Sequence, residues 1–358
     1  MTKNSPYIEW AKTKSAAKYN LALSGVLTYP LNELDIPIEE VATAATSSYG
    51  YEPLIDALAA KFQVAPECVV HANGTSFANH LAMATILERG DEVLIEYPAY
   101  DPLLRVPEYL GAKINRFTRR FEDDFRIDLD EIKCHLTPQT KLIVITNLHN
   151  PSGVLTDNHT LQQIGELAES LGARVLVDEV YLEAMFERAQ PTAFHLGNQF
   201  VVTSSLTKAY GLSGLRCGWI LAERELAHRM WRLNDIFGVV PPHPAERLSV
   251  VALANLDKVI ARAKTLLEPN RAALKQFLNS RQDLPCVQTE FGTTVFPRLL
   301  NDNVESFCAH LREKYETAVV PGKFFEMPEH FRIGICAEPE IVAEGLKRLG
   351  AALDELNR

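Results

Sequence analysis

Residues 203–223 read TSSLTKAYGLSGLRCGWILAE. An apolar run, Phe200 to Val202, leads into the hydroxyl residues, and a second, from Cys217 to Ala222, closes the stretch. Between them stand Lys208, the glycines Gly211 and Gly214, and Arg216. Short apolar runs bounded by turn formers have the length of strands rather than helices. The same pattern recurs upstream as CVVHAN (68–73), DEVLIEY (91–97), KINRF (113–117), KLIVITN (141–147) and ARVLVDEVY (173–181). Amphipathic stretches such as 76–90 and 157–172 separate these runs with helical periodicity. Strands alternating with helices imply an α/β fold with a mostly parallel central sheet flanked by helices.

The pattern changes after PPHP (241–244). A helical stretch is expected from 245 to 280, with Pro269 as a candidate kink. Weak strands then follow at 285–290, 293–299 and 330–336. This predicts a large domain over 30–245 and a smaller α+β domain formed by 1–29 and 246–358. A chain of 358 residues suits one large and one small domain. The formal net charge of −10, with no basic block, argues against nucleic acid as the main partner. No run approaches the roughly 20 apolar residues of a membrane helix, and the polar amino terminus carries no apolar signal core. A cytoplasmic protein is expected. Six cysteines stand singly without a CxxC pair, so buried free thiols are expected and no metal site. HExxH, GxSxG, P-loop and EF-hand patterns are absent.

In open parallel sheets, ligands sit beyond the carboxyl ends of the strands. After the first run come Gly74, Thr75 and Ser76 at a helix start, an anion-binding arrangement. The 141–147 run leads to Asn150, and the 173–181 run contains Asp178 and Tyr181. A carboxylate ending an apolar strand needs a cation or strong donors. Lys208 follows Ser205, and a lysine in apolar surroundings is suited to imine chemistry. Arg216 offers a fork for phosphate. Each has an ordinary explanation alone: a helix cap, a turn residue, a buried ion pair, a lysine reaching solvent. Together they describe a ligand with a phosphate, an electrophilic carbon and a basic ring nitrogen. Pyridoxal phosphate has all three.

The strings NGTS, YPAY, NPSG, DEVY, SLTKAYGLSGLRCGW and FRIG stand in an order that resembles the class I/II aminotransferase family, the fold-type I pyridoxal-phosphate enzymes of the aspartate aminotransferase kind. The resemblance runs from about Leu23 to the end. It implies that Lys208 forms the Schiff base and shuttles the proton, and that Asp178 faces the pyridinium nitrogen. It implies that Tyr181 and Asn150 donate to the ring oxygen and that Tyr100 stacks on the ring. Gly74, Thr75, Ser76, Ser205 and Arg216 become phosphate ligands. Arg332 becomes the fork for the substrate carboxylate, with Gly25 adding a backbone contact. Such enzymes are usually homodimers in which a tyrosine reaches the other subunit's phosphate; Tyr49 is the candidate, and Tyr51 competes with it. The implied reaction moves an amino group between an amino acid and a 2-oxo acid. A pyridoxal-phosphate lyase, for example for C–S β-elimination, or a cyclising enzyme is the alternative, and a non-catalytic sensor a third reading. Arg105, Arg232 and Arg247 are expected at the surface rather than on a substrate carboxylate. Among the apolar candidates for the pocket wall, Leu27, Tyr29 and Phe237, Phe237 is expected to pack in the core.

Overall fold

The structure, a computed structural model, describes residues 3–34, 36–44, 48–300 and 302–356. In chain order, α1 (Pro6–Thr13) and β1 (Tyr19–Asn20) precede α2 (Glu52–Phe62). The sheet region follows: β2 (Val69–Asn73), α3 (Thr75–Ile86), β3 (Glu92–Tyr97), α4 (Asp101–Leu110), β4 (Lys113–Thr118) and α5 (Leu129–His135). It continues with β5 (Thr140–Thr146), α6 (Asn158–Ser170), β6 (Arg174–Asp178), β7 (Phe200–Ser205) and β8 (Cys217–Leu221). Helices α7 (Arg224–Phe237), α8 (His243–Ala254) and α9 (Leu256–Asn279) lead to β9 (Thr294–Val295) and α10 (Val304–Tyr315). The chain closes with β10 (Thr317–Ala318), β11 (Val320–Pro321), β12 (Phe331–Gly334) and α11 (Pro339–Leu356).

Seven of these strands form one sheet in the order β2-β8-β7-β6-β5-β3-β4. Every position of β7 and β8 is buried. A strand buried on both faces reads as an unbroken apolar run, which is why these segments lack alternation. All neighbours pair in parallel except those of β8. The β7–β8 connection is too short for a crossover, so β8 returns antiparallel. The reversal has a functional consequence. It brings the start of β8 to the edge where the parallel strands end, with Asn73 opposite Cys217 and Ser205 opposite Gly218. Arg216 therefore arrives beside the Gly74 turn.

The amino-terminal segment ties the two parts of the chain together. Strand β1 pairs in parallel with β10, and Leu21 accepts from the amide of Gly334 in β12. Farther on, Val26 donates to the carbonyl of Lys208 and Tyr29 to that of Gly211, each at 2.8 Å. Leu21 and Ile333 share a second apolar core with α10 and α11, apart from the core around the large sheet.

Several expectations need correction. The 245–280 helix is broken at Asn255, not at Pro269, which lies inside α9. Asn255 leaves helical geometry (φ −112°, ψ 25°), and its side-chain amide donates to Val251 O at 2.9 Å. Residues 285–290 form no strand. Pro285 has no N–H to give a ladder, and only its carbonyl is used, by Arg298 N. Phe237 is 53% exposed rather than in the core. All six cysteines are free, but only Cys217 and Cys336 are buried, and Cys134 is exposed. Gly214 has open space where a Cβ would stand; at Gly211 a Cβ would meet Leu27 O at 2.2 Å.

Candidate active site

Lys208 lies in the turn between β7 and β8, half-buried, at the carboxyl edge of the sheet. Its Nζ donates to Ser24 Oγ at 3.0 Å and stands 5.8 Å above the Tyr181 ring. The Tyr181 hydroxyl donates to the same Ser24 oxygen at 2.9 Å. A Cβ on Gly25 would meet Lys208 Cδ at 3.0 Å, so Gly25 gives the lysine stem its room.

Asp178 ends β6 and is buried. Its carboxylate accepts from Asn79 Nδ2 at 2.8 Å and from Val180 N at 3.1 Å. Thr203 donates to Asn79 Oδ1 at 2.6 Å, which turns the amide NH2 toward Asp178. Both donors are neutral. Burial therefore pushes the Asp178 carboxyl up to about 6, even though Asn79, Val180 and the Lys208 charge all work the other way. A cation at this carboxylate would reverse that.

Arg332, in β12, is fully buried. Its Nη1 donates to Asn150 Oδ1 at 2.9 Å, and its Nη2 to Tyr7 OH at 2.9 Å and Ala22 O at 3.2 Å. Its Nε is buried without a partner among the described residues. An unpaired buried donor on a guanidinium marks a place for an acceptor. Because Asn150 gives its oxygen to Arg332, its amide nitrogen is left to donate. Tyr100 packs edge-on against Tyr7 with centroids 5.5 Å apart. Burial holds the Tyr100 phenol well above its ordinary pKa, and Tyr7, Tyr181 and Asp178 add to the effect.

Helix α3 starts at Thr75, capped by Gly74 at φ 79°. The first amides of a helix have no intrahelical acceptor. Thr75 Oγ1 donates to Ser205 Oγ at 2.8 Å, joining the two strand ends. Arg216 Nη2 donates to Asn73 O at 3.2 Å, and a Cβ on Gly74 would lie 2.3 Å from that nitrogen. Amides, hydroxyls and a guanidinium thus meet in one cradle that a side chain at 74 would fill. Ser76 and Arg216 also line a cavity of about 1020 Å3 with Ser5, Ile8, Arg105 and Tyr109.

Tyr49 and Tyr51 lie elsewhere. Tyr49 is 44% exposed, donates to Asp235 and accepts from Arg232. Tyr51 packs edge-on against His243. Arg105 is paired with Asp101 and Glu108, and Arg247 with Glu40. Sequence reasoning missed Ser24, Tyr7 and Asn79. Asn79 carried a signal, since it stands one helical turn after Thr75 on α3. Ser24 is adjacent to Gly25, but nothing in its own pattern marks it. Tyr7 lies far from any motif.

The sequence matches the family Aminotransferase class I and II over residues 38–349, and the chain belongs to that family. It is 28% identical over 354 residues to capreomycidine synthase of Streptomyces vinaceus, covering 94% of this chain and 90% of that protein. A pyridoxal-phosphate-dependent aminotransferase from Streptococcus suis superposes with a TM-score of 0.91 at 26% identity over all of both chains. The pyridoxal-phosphate-dependent cyclase OrfR superposes with a TM-score of 0.88 at 25% identity, covering 99% and 98% of the two chains. The chain is a pyridoxal-phosphate enzyme of fold type I. Its residues fit that cofactor. The cradle at Gly74 suits a phosphate, Asp178 accepts only from neutral donors among the described residues, and the Lys208 amine is near enough for its charge to act on Asp178. No helix of the described residues is long and apolar enough to cross a membrane.

Proposed function

We propose that the protein is an aminotransferase that moves an amino group between an amino acid and a 2-oxo acid. The observation that carries this reading is the meeting of the Lys208 amine and the Tyr181 phenol on Ser24 Oγ, in a site that also holds a buried guanidinium with an open donor, Arg332, and a buried carboxylate, Asp178, with only neutral donors among the described residues. When bound, pyridoxal phosphate supplies an electron sink for the carbon that loses its proton. The protein supplies the rest. Arg332, steadied by Asn150 and Tyr7, binds the substrate carboxylate, with Gly25 beside it. As a free amine, Lys208 would take the proton from the substrate's α-carbon and return it on the far side of the amino nitrogen, two bonds away. Asp178 would stay ionised against the ring nitrogen, Asn150 would donate to the ring oxygen, and Tyr181 would join it by turning its one proton there from Ser24 Oγ. Tyr100 covers the ring face. Gly74, Thr75, Ser76, Ser205 and Arg216 hold the phosphate, which fixes the ring while the substrate changes.

The division into a large domain (30–245) and a small one (1–29 and 246–358) is part of this reading; the second apolar core suits a small domain, while Ala252 and Val259 pack with the core of the large sheet. So are a homodimer with Tyr49 reaching the other site and a cytoplasmic location. A second reading keeps the cofactor and changes the outcome to elimination or ring closure. The likeness to capreomycidine synthase and to a cyclase favours it. Visible absorbance of the protein with cofactor, read during addition of single amino acids, separates the two. Bleaching by one amino acid, restored by a 2-oxo acid, is the expected result. A band that persists while ammonia and a 2-oxo acid accumulate, or while a cyclised amino acid forms, would replace transamination with the second reading.

A further inference from the structure

Ser24 stands where no motif placed it. A hydroxyl carries one donor and two acceptor lone pairs. Both lone pairs of Ser24 Oγ are used, by Lys208 Nζ at 3.0 Å and by Tyr181 OH at 2.9 Å. Its own proton has no acceptor among the described residues. The side chain is buried, and its backbone is fixed from two directions. Thr293 Oγ1 donates to Ser24 O at 3.0 Å. Two residues on, Val26 N donates to Lys208 O at 2.8 Å. The strap that carries Ser24 is thus pinned to the turn that carries Lys208.

We infer that Ser24 is a positioning residue: its hydroxyl oxygen holds the free Lys208 amine and the Tyr181 phenol at one point. The inference rests on Lys208 being the cofactor's lysine. A lysine has a long, flexible stem, and an amine released from the cofactor has many rotamers open to it. One fixed acceptor keeps the amine near the carbon whose proton it must take. The same oxygen orients the phenol that faces the ring. Proton transfer is sensitive to such placement, since an error of about 1 Å can cost on the order of 100-fold.

The test uses Ser24→Ala, with Ser24→Thr keeping the acceptor and Ser24→Cys keeping the size but only weak acceptor strength. In the cofactor-free protein, an amine-directed acylating reagent is followed at Lys208 by peptide mass spectrometry. Release of the amine in Ser24→Ala and Ser24→Cys should speed labelling of Lys208 by about 3-fold or more, with the surface lysines unchanged and Ser24→Thr near the parent. With cofactor, kcat should fall about 10- to 100-fold, KM should change far less, and Ser24→Thr should recover most of the loss. Equal Lys208 labelling in all four proteins would overturn the inference, as would a loss of kcat that Ser24→Thr does not repair. If Ser24→Ala does not fold, the Thr and Cys pair decides by the same comparison. Labelling needs neither cofactor nor turnover. Failure of the aminotransferase reading would appear instead as a normal labelling pattern in a protein that exchanges no amino group.

Discussion

Asp178 shows how a single group sets conditions for the whole site. Its carboxyl, raised to about 6 by burial, holds a proton in the folded cofactor-free protein that the unfolded chain releases near pH 4. Between those values the folded state binds more protons. Stability of the cofactor-free protein should therefore fall as pH rises from about 4 to 6, on the order of 3 kcal/mol, and this contribution should be level above. Asp178→Asn should flatten that slope, read as urea midpoints at pH 4.5 and pH 7, and with cofactor it should slow turnover about 100-fold or more. A slope that survives the substitution would assign the titration to another group. Arg332→Lys tests the other end of the site. It keeps the charge but loses the planar fork, so KM for the amino acid should rise by about 10- to 100-fold with kcat less affected. Most of these residues were legible because each stands at the end of an apolar run, where a polar group is expensive and conspicuous. Ser24 and Tyr7 were not. Their partners lie 184 and 325 positions away, and a contact of that span leaves no spacing to read.

At the scale of elements, buried polar pairs tie the sheet to its neighbours. His71 in β2 lies 3.1 Å from Glu246 in α8, both buried. Burial alone would push the imidazole down, but the neighbouring Cys217 and Glu246 raise it to about 9. A raised histidine adds stability that is present below its unfolded value near 6.5 and lost as pH rises through 9. The link should weaken between pH 7 and pH 10 by on the order of 3 kcal/mol. Glu246→Gln should lower the thermal midpoint at pH 7 and remove part of that pH dependence, with the share set by Cys217 left in place. An unchanged midpoint would make the pair dispensable. The strands around this pair were easy to read, because central strands buried on both faces need unbroken apolar runs. The break at Asn255 was hidden. Proline is the obvious suspect in a long helical pattern, yet here an asparagine that turns its amide onto its own helix ends α8, and Pro269 is carried within α9. The weak strands were harder still, since β9 and β11 are two residues long and owe their form to pairing with β12.

The whole molecule leaves an apolar surface uncovered at the end of α7. Ile236, Phe237 and Val239 are 76%, 53% and 59% exposed, and Val240 stands beside them. The patch continues through ring contacts from Phe237 to His80 and from His80 to Tyr109. Tyr109 in turn lines the cavity that holds Ser76 and Arg216. Contiguous apolar surface of this kind marks a place of association, and a second copy of the chain placed there would border the cavity mouth. No sequence pattern pointed to this, because Phe237 has the look of a core residue in an amphipathic helix and only the end of α7 frees it. A homodimer in solution should therefore show a mass twice the 40.0 kDa of the chain by light scattering. Ile236→Asp combined with Val239→Asp puts two charges into an interface that has to exclude water, so the dimer should weaken by about 100-fold or more. If the partner also walls the cavity, amino-acid KM should rise as the protein is diluted below its new dissociation constant, while the parent shows no such dependence. A parent protein that scatters as one chain and keeps full turnover would show that the site is complete within a single subunit, and Tyr49, tied to Arg232 and Asp235, would then have no phosphate to reach.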